Sequence, residues 1–443
     1  MERNPGELKK VLIISPHFPP VNAADMHRIR QSLPYFEEFG WQAVIITVDP
    51  AYIESYSNDP LLLHTIPANT EVHQVKAYPV NITRKLGLGS LSMRSFFQIR
   101  KKGNELLKKN HFDLVYFSTT AFHVMTLGPK WKKKFGIPFI LDIQDPWRND
   151  FYLSKPKSER PPKFFISYNI DKKLEAMTIP KADGIISVSK AYCDTFKQRY
   201  PILKDRQFKV IPFGASGHDF EIMEKYVRHT SVKLPVGKIN IIYIGRGGHD
   251  LKFALEIIFK AFEKGLHRDH EIFSRAHFSF IGTSYAQPGL GQKTIEPLAV
   301  HWKLGEYVSE MTDRISYFDT LFLLKEADIL VVPGSTDTSY TASKIYPYIL
   351  AEKPLLAVFH KNSSVVKVLQ DIHVDTFVTF ENENSLDHGI DTCYKKLKNI
   401  LEDNFRNIRL DRVAFEPYMA RSRTKEQVDF FEQVIIDHQR TNA

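Results

Sequence analysis

INIIYIGRGGHDLKFALEIIFKAFEKG, residues 239–265, sets the architecture. Its opening run is apolar apart from Asn240, short enough for a buried strand and too short for a buried helix. Gly245, Gly247 and Gly248 interrupt the run, and the apolar residues then fall at helical spacing. A strand, a glycine turn and a helix in that order are the repeating unit of a parallel sheet covered on both faces.

The unit recurs in both directions. Downstream, FSFIG (278–282), RISYF (314–318), DILVVP (328–333) and PLLAVF (354–359) read as strands, with FDTLFLLKEA (318–327) as a helix between them. Upstream, the strands are VLIIS (11–15), AVIIT (43–47), LVYFS (114–118), FILDI (139–143), GIISV (184–188) and FKVIP (208–212). MHRIRQSLPYFEEFG (26–40) ends in Gly40 as a helix C-terminus does. Residues 215–235 carry no strand pattern and read as a connector, and MARSRTKEQVDFFEQVIIDHQR (419–440) reads as a long closing helix. The expectation is an α/β protein of two doubly wound, Rossmann-like domains. They span 1–214 and 236–412, with a tail at 413–443 and a ligand cleft at the C-terminal ends of the strands.

The 443 residues are 43% hydrophobic and 25% charged, which excludes a largely disordered chain and a small disulfide scaffold. Two cysteines 200 positions apart, and 17 histidines without a close Cys/His cluster, give no zinc-site spacing. Four apolar residues, Val11 to Ile14, follow the charged start, where a secretory segment needs about 7–15. No run approaches the ~18 apolar residues of a membrane span. A cytoplasmic protein is expected. Residues 1–210 hold 32 Lys and Arg against 20 Asp and Glu, whereas 211–443 hold 28 against 31. The basic character belongs to the first half.

Four loops carry chemistry. SPHFPPVNAADMHRIR (15–30) follows the first strand, and such a turn presents backbone N–H groups to an anion. Ala23 and Ala24 would let a ligand approach the backbone, while His17 and Arg28 read equally well as a solvated pair at a helix start. In YIGRGGHDLKFA (243–254), Gly245 and Gly247 allow close approach and Arg246 can grip phosphate oxygens, with Lys252 in the next turn. In GSTDTSYTASKIYPYILAEKP (334–354), Ser343 and Lys344 precede a helical run, a second phosphate-site design, with Pro347 expected near N1 or N2. In FILDIQDPWRND (139–150), Asp145 before Pro146 is either an active-site carboxylate or the cap of a turn.

Taken in order, SPHFPP, the Asp-Pro-Trp at 145–147, ADGIISVSKAY (182–192), VIPFG (210–214), the Gly-Arg turn and YTASKIYPYILAEKPLLAV (340–358) resemble family-4-type glycosyltransferases of the GT-B fold. The resemblance spans nearly the whole chain. It implies an acceptor-binding N-terminal domain and a C-terminal domain for a nucleotide-diphosphate sugar, with the last helix crossing back to the first domain. The sugar nucleotide would be a substrate, with no cofactor and no metal required. Arg246 and Lys252 would grip the donor diphosphate, and with Asp145 they form the expected catalytic set. Gly245, Gly247, Gly282, Thr283, Tyr340, Ser343 and Lys344 would line the donor site. His17, Asn22, Ala23 and Arg28 would face the acceptor. Retention of anomeric configuration is the family's usual outcome.

The sequence departs from the family where two glutamates are usual, having Ser339 and Pro347 there. It has Ala23–Ala24 for a Gly pair, and Gln144 for the His of the acceptor-domain His-Asp element.

Residues 84–109 hold eight Lys and Arg against one Glu, with Leu86, Leu88, Leu91, Met93, Phe96 and Phe97 among them, and KWKKKF (130–135) adds four lysines. That mixture suits an anionic membrane surface, and equally a solvated basic helix with its apolar side packed inward. A glycan or lipid-linked acceptor, in bacterial surface polysaccharide synthesis, is the matching expectation. A nucleic-acid binder explains the pI of 9.1 but leaves the Gly-Arg and Ser-Lys turns unexplained. The same fold could also serve a sugar-nucleotide epimerase or a scaffold without turnover.

Overall fold

The computed structural model describes residues 7–54, 58–86, 88–153, 156–157, 160, 164–337, 343–402 and 409–442. The chain divides into two units, 1–214 with 420–443, and 215–419.

Seven parallel strands build the first unit: β1 (Lys9–Ile14), β2 (Trp41–Val48), β3 (Glu71–Val75), β4 (Leu114–Ser118), β5 (Phe139–Ile143), β6 (Gly184–Ser187) and β7 (Phe208–Val210). Their order is β3-β2-β1-β4-β5-β6-β7. Val11 sits between Ala43 and Leu114, so β1 and β4 flank the point where the winding reverses. Alternate residues of β1 enter opposite cores, Leu12 and Ile14 on one face and Val11 and Ile13 on the other. A near-continuous apolar run is therefore what this strand requires. The second face is completed by Val428, Phe430, Phe431 and Val434 of the helix Ala420–Asn442. That helix lies so near β6 that a Cβ on Gly184 would stand 2.7 Å from Val434 Cγ2.

The second unit repeats the plan with β8 (Ile239–Ile244), β9 (Ala276–Ile281), β10 (Val308–Met311), β11 (Ile329–Pro333), β12 (Leu355–His360) and β13 (Phe377–Phe380), all parallel, in the order β10-β9-β8-β11-β12-β13. Its reversal point lies between β8 and β11. Open sheets of this winding bind ligands outside the strand C-termini at that point.

Several expectations need correction. RISYF (314–318) is not a strand: Ser316 accepts the Asp319 N–H at 3.0 Å and starts the helix Tyr317–Glu326. A serine followed three places on by an acid outweighs the β-propensity of Ile315 to Phe318. The strand of that position is β10, which has already ended at Met311. Residues 215–235 are not a bare connector either. Ser216 caps the helix Gly217–Tyr226, which lies in the second unit, and Tyr317 Oη donates to Asp219 at 2.7 Å. The tail divides at 420 rather than 413, since Arg412–Phe415 belongs to the second unit.

The basic stretches are only partly a surface. The helix Leu91–Lys109 turns Ile99, Leu106 and Leu107 into the core and leaves Phe97 exposed. In 130–135, Trp131 is buried against Phe117, and Lys132 pairs with Asp183 at 2.8 Å. No described helix is long and apolar enough to cross a membrane.

Candidate functional site

In the second unit the chain leaves β8 through Gly245 to Gly248. Tyr243, the penultimate residue of β8, is buried, yet its hydroxyl joins two loops. Lys344 Nζ donates to Tyr243 Oη at 2.6 Å, and that hydroxyl donates to the Arg246 carbonyl at 2.8 Å. Tyr348 Oη donates to the Ile244 carbonyl at 3.0 Å and accepts the Ile244 N–H at 2.6 Å, fixing the helix Ile345–Leu350 to the strand end. Gly245 leaves room for this link: a Cβ would come within 2.8 Å of Lys344 Nζ and 2.9 Å of Tyr243 Oη, so the lysine would have to shift. Arg246 is held by a fork of two bonds to Asp250, at 2.8 and 2.6 Å.

The electrostatics single out Lys344. Burial first, then the positive charges of Arg246 and Arg314, push its ammonium down to about 7, against a smaller opposing pull from Asp250. Among the described residues no carboxylate stands within ion-pair distance of Lys344. Two further cations thus act on Lys344 near the strand C-termini, and Asp250, which Arg246 already engages, offsets them only in part. Burial works against the Asp250 carboxyl, but the Arg246 guanidinium and the Ser335 hydroxyl hold it below the usual range.

The remaining donor-side candidates divide. Gly247 N donates to the Thr283 carbonyl at 2.7 Å, joining the two loops. Gly282 takes a φ of +73°, the left-handed region where a side chain is strained. Thr283 is committed elsewhere, its hydroxyl donating to Glu310 at 2.6 Å. Ser343 adjoins Lys344, and its carbonyl accepts the Tyr346 N–H at 3.2 Å. Pro347 stands third in its helix, deeper than expected but still where an N–H lacks an intrahelical partner. That helix has six residues, so little dipole reaches the site and the cations carry it. Tyr340 and Ser339 lie outside the described residues. Lys252 is exposed at the start of the helix Lys252–Arg268 and is not among the charges acting on Lys344. It lines a cavity of about 490 Å³ with Gly248, His249, Glu256, His301 and Trp302.

Sequence reading missed Tyr243 and Arg314. Tyr243 was hidden as one more apolar residue of a strand. Arg314 was placed inside the mistaken strand RISYF, whereas it lies just past the end of β10 and stacks 4.5 Å over the Tyr285 ring.

In the first unit a second polar cluster forms at the ends of β1, β4 and β5. His17 Nδ1 meets both Asp25 oxygens, at 2.9 and 3.0 Å. Asp25 also accepts from Thr119 Oγ1 at 3.0 Å and from Thr120 N at 2.9 Å. Burial opposes the Asp25 charge, but the His17 bond and charge, with the two threonines, hold its carboxyl below the usual range. Asn22 is half-buried and Ala23 buried beside this cluster in the chain. His17 and Arg28 are not solvated, as one reading had them: both are buried, and Arg28 lies with Asp142, Nε to Oδ2 2.7 Å, and donates to the Ile211 carbonyl at 2.7 Å. Gln144 Nε2 bonds Asp142 Oδ2 at 2.7 Å and the Asp25 carbonyl at 3.2 Å, so the residue replacing the family's His joins this framework.

Asp145 is open to solvent, yet the protein around its carboxyl desolvates it, and with the Asp25 charge this pushes it up to about 6. A raised carboxyl pKa favours the fold below pH ~4, and that contribution is lost as pH rises through about 6. Asp145→Asn is therefore expected to stabilise the protein at pH 7 and to flatten the stability profile between pH 4 and 7, as urea titration would show. A loss of stability at pH 7 would identify Asp145 as a turn cap instead.

No family model and no curated protein sequence matches the chain. Solved structures do. HepE of Anabaena, in complex with UDP, aligns over 96% of this chain and 99% of its own at 14% identity and a TM-score of 0.55. A glycosyltransferase from Rickettsia africae aligns over 97% and 99% at 14% identity and 0.54. A UDP-forming α,α-trehalose-phosphate synthase from Burkholderia xenovorans aligns over 96% and 99% at 11% identity and 0.58. At such identities the likeness is one of fold, and the fold is GT-B.

Proposed function

We propose that the chain is a glycosyltransferase whose second unit holds a nucleoside diphosphate sugar by its diphosphate, at Lys344, Arg246 and Arg314. The observation that carries this reading is that Arg246 and Arg314 both act electrostatically on Lys344, which Tyr243 ties to the Arg246 loop at the reversal point of the sheet. In the transfer, an acceptor hydroxyl bonds to the anomeric carbon as the bond from that carbon to the diphosphate oxygen breaks. The nucleoside diphosphate leaves with the electron pair and the hydroxyl proton goes to a base. Charge grows on the leaving oxygens, so fixed cations in a site shielded from water stabilise the transition state.

Uridine is the first base to test. HepE was solved with UDP, and a trehalose-6-phosphate protein of E. coli with UDP-2-fluoro glucose. The first unit, with its basic surface and the His17–Asp25 cluster, is the proposed acceptor side. A glycan or lipid-linked acceptor in surface polysaccharide synthesis is the matching role.

Calorimetric titration with UDP and other nucleoside diphosphates tests the donor reading. Binding by at least one of them is expected, and Arg246→Ala should weaken it by about tenfold through loss of a charge-assisted fork. The loss is limited because Asp250 already shares that guanidinium. Failure of every diphosphate to bind, or unchanged affinity in Arg246→Ala, would overturn the placement.

A further inference from the structure

The helix Phe164–Thr178 in the first unit is turned inside out. Its two acids, Asp171 and Glu175, face inward with Phe164, Leu174 and Thr178. Glu175 is fully buried and needs a built pocket: Arg199 Nη1 reaches its two oxygens at 3.0 and 3.1 Å, Tyr200 Oη donates at 2.8 Å and Arg148 N at 3.1 Å. Asp171 stands 3.7 Å from His123 Nε2.

The outward face is rich in apolar side chains, with the polar Ser167 and Asn169 among them. Phe165 is 52% exposed, Ile166 63%, Ile170 39% and Met177 51%. Ile166, Ile170, Lys173 and Met177 recur at spacings of four, three and four, one stripe of a helix. Among the described residues of this helix, the only outward charges are Lys172 and Lys173. A helix meant to face water would place its acids outside and these side chains inside.

From its inner side this helix is tied to a neighbour. His123 Nδ1 lies 2.8 Å from Ser92 Oγ, so the same imidazole links Asp171 to the start of the helix Leu91–Lys109. On that helix Phe97 is 59% exposed, with Arg100 and Lys101 exposed a turn later.

We propose that this face, centred on Phe165, Ile166, Ile170 and Met177, docks on an anionic lipid bilayer, with Lys172 and Lys173 toward the headgroups. Apolar side chains flanked by these cations match an interface of acyl chains under anionic phosphates. A second copy of the chain fits less well, since it would bring Lys172 and Lys173 against their own kind. The net positive charge of the first half, against the net negative second half, points the same way. This relocates the surface from the basic stretches 84–109 and 130–135 to a helix on which the basic residues are few. It does not rest on the transferase reading, because lipid binding and nucleotide binding are read separately.

Sedimentation of the full chain with vesicles tests it. Vesicles of equimolar phosphatidylcholine and phosphatidylglycerol should carry the protein down at about 0.1 M salt, and pure phosphatidylcholine much less; about 1 M salt should release part of it. Ile166→Gln with Ile170→Gln should lower partitioning by about tenfold or more, with the melting temperature kept because both side chains are exposed. Lys172→Glu with Lys173→Glu should abolish the preference for phosphatidylglycerol. Val236→Gln, at an exposed apolar residue of the second unit, should change nothing. Absence of vesicle binding, or equal binding by the Ile166/Ile170 double variant, overturns the proposal. Self-association that this variant abolishes, without vesicle binding, assigns the face to a second copy instead.

Discussion

Lys344→Met is expected to weaken nucleoside diphosphate binding by about thirtyfold or more, and at the same time to make the unliganded protein more stable at pH 7. The first effect is the loss of a charge-assisted contact, about 2 kcal/mol or more. The second follows from crowding. An ammonium lowered to about 7 from 10.5 is disfavoured by the fold in its charged form. Between those values the unfolded chain binds more protons, so stability rises with pH across that window and is poorest below it. Methionine removes the charge and hence the penalty. Diphosphate reverses the situation by supplying the missing counter-charge, so binding should take up a proton above pH 7 and affinity should fall as pH rises. Calorimetry at pH 6 and 8.5, repeated in buffers of different ionisation enthalpy, measures both. A destabilised Lys344→Met protein with normal affinity would show that the lysine only supports the loop.

Asp142→Ala is expected to lower stability by about 3–5 kcal/mol, because it leaves the Arg28 guanidinium buried without its partner. The aspartate also receives Ser118 Oγ at 2.8 Å and Gln144 Nε2 at 2.7 Å, so the deletion frees two further donors. Trp41, Trp131 and Trp147 all lie in the first unit, and their fluorescence during urea titration reports on that unit above the other. An unchanged transition would return Arg28 to the ligand-binding role that the sequence suggested for it.

The contrast between these two residues explains what was legible beforehand. Arg28 and Lys344 look alike in sequence, each a cation in a loop or turn after a strand. Only the three-dimensional partner separates them, since Asp142 lies 114 positions from Arg28 and no spacing rule connects them. The central strands were legible because burial on both faces writes a continuous apolar run. The strands missed, β3, β10 and β13, are sheet edges, where one covered face leaves alternation as in EVHQV and VSEM. Gly245, Arg246 and Lys344 could be named beforehand because glycine and cations stand out after apolar strands, and the structure brings their loops together at Tyr243. Tyr243 was not, since its ring serves the core and only its hydroxyl serves the site.

The order in which the chain is made bears on how it can fold. One side of the first sheet is covered only in part, by Ile29, Leu33 and Phe36, until Phe430, Phe431 and Val434 have been synthesised, more than two hundred residues after β7. During translation the later-encoded unit can finish first, while the earlier one waits with Trp41 and Tyr116 lacking their cover from Phe431. A ribosome stalled before residue 430, or an expressed fragment ending at 214, would display a sticky sheet surface. Such species are natural clients for chaperones and poor candidates for soluble expression.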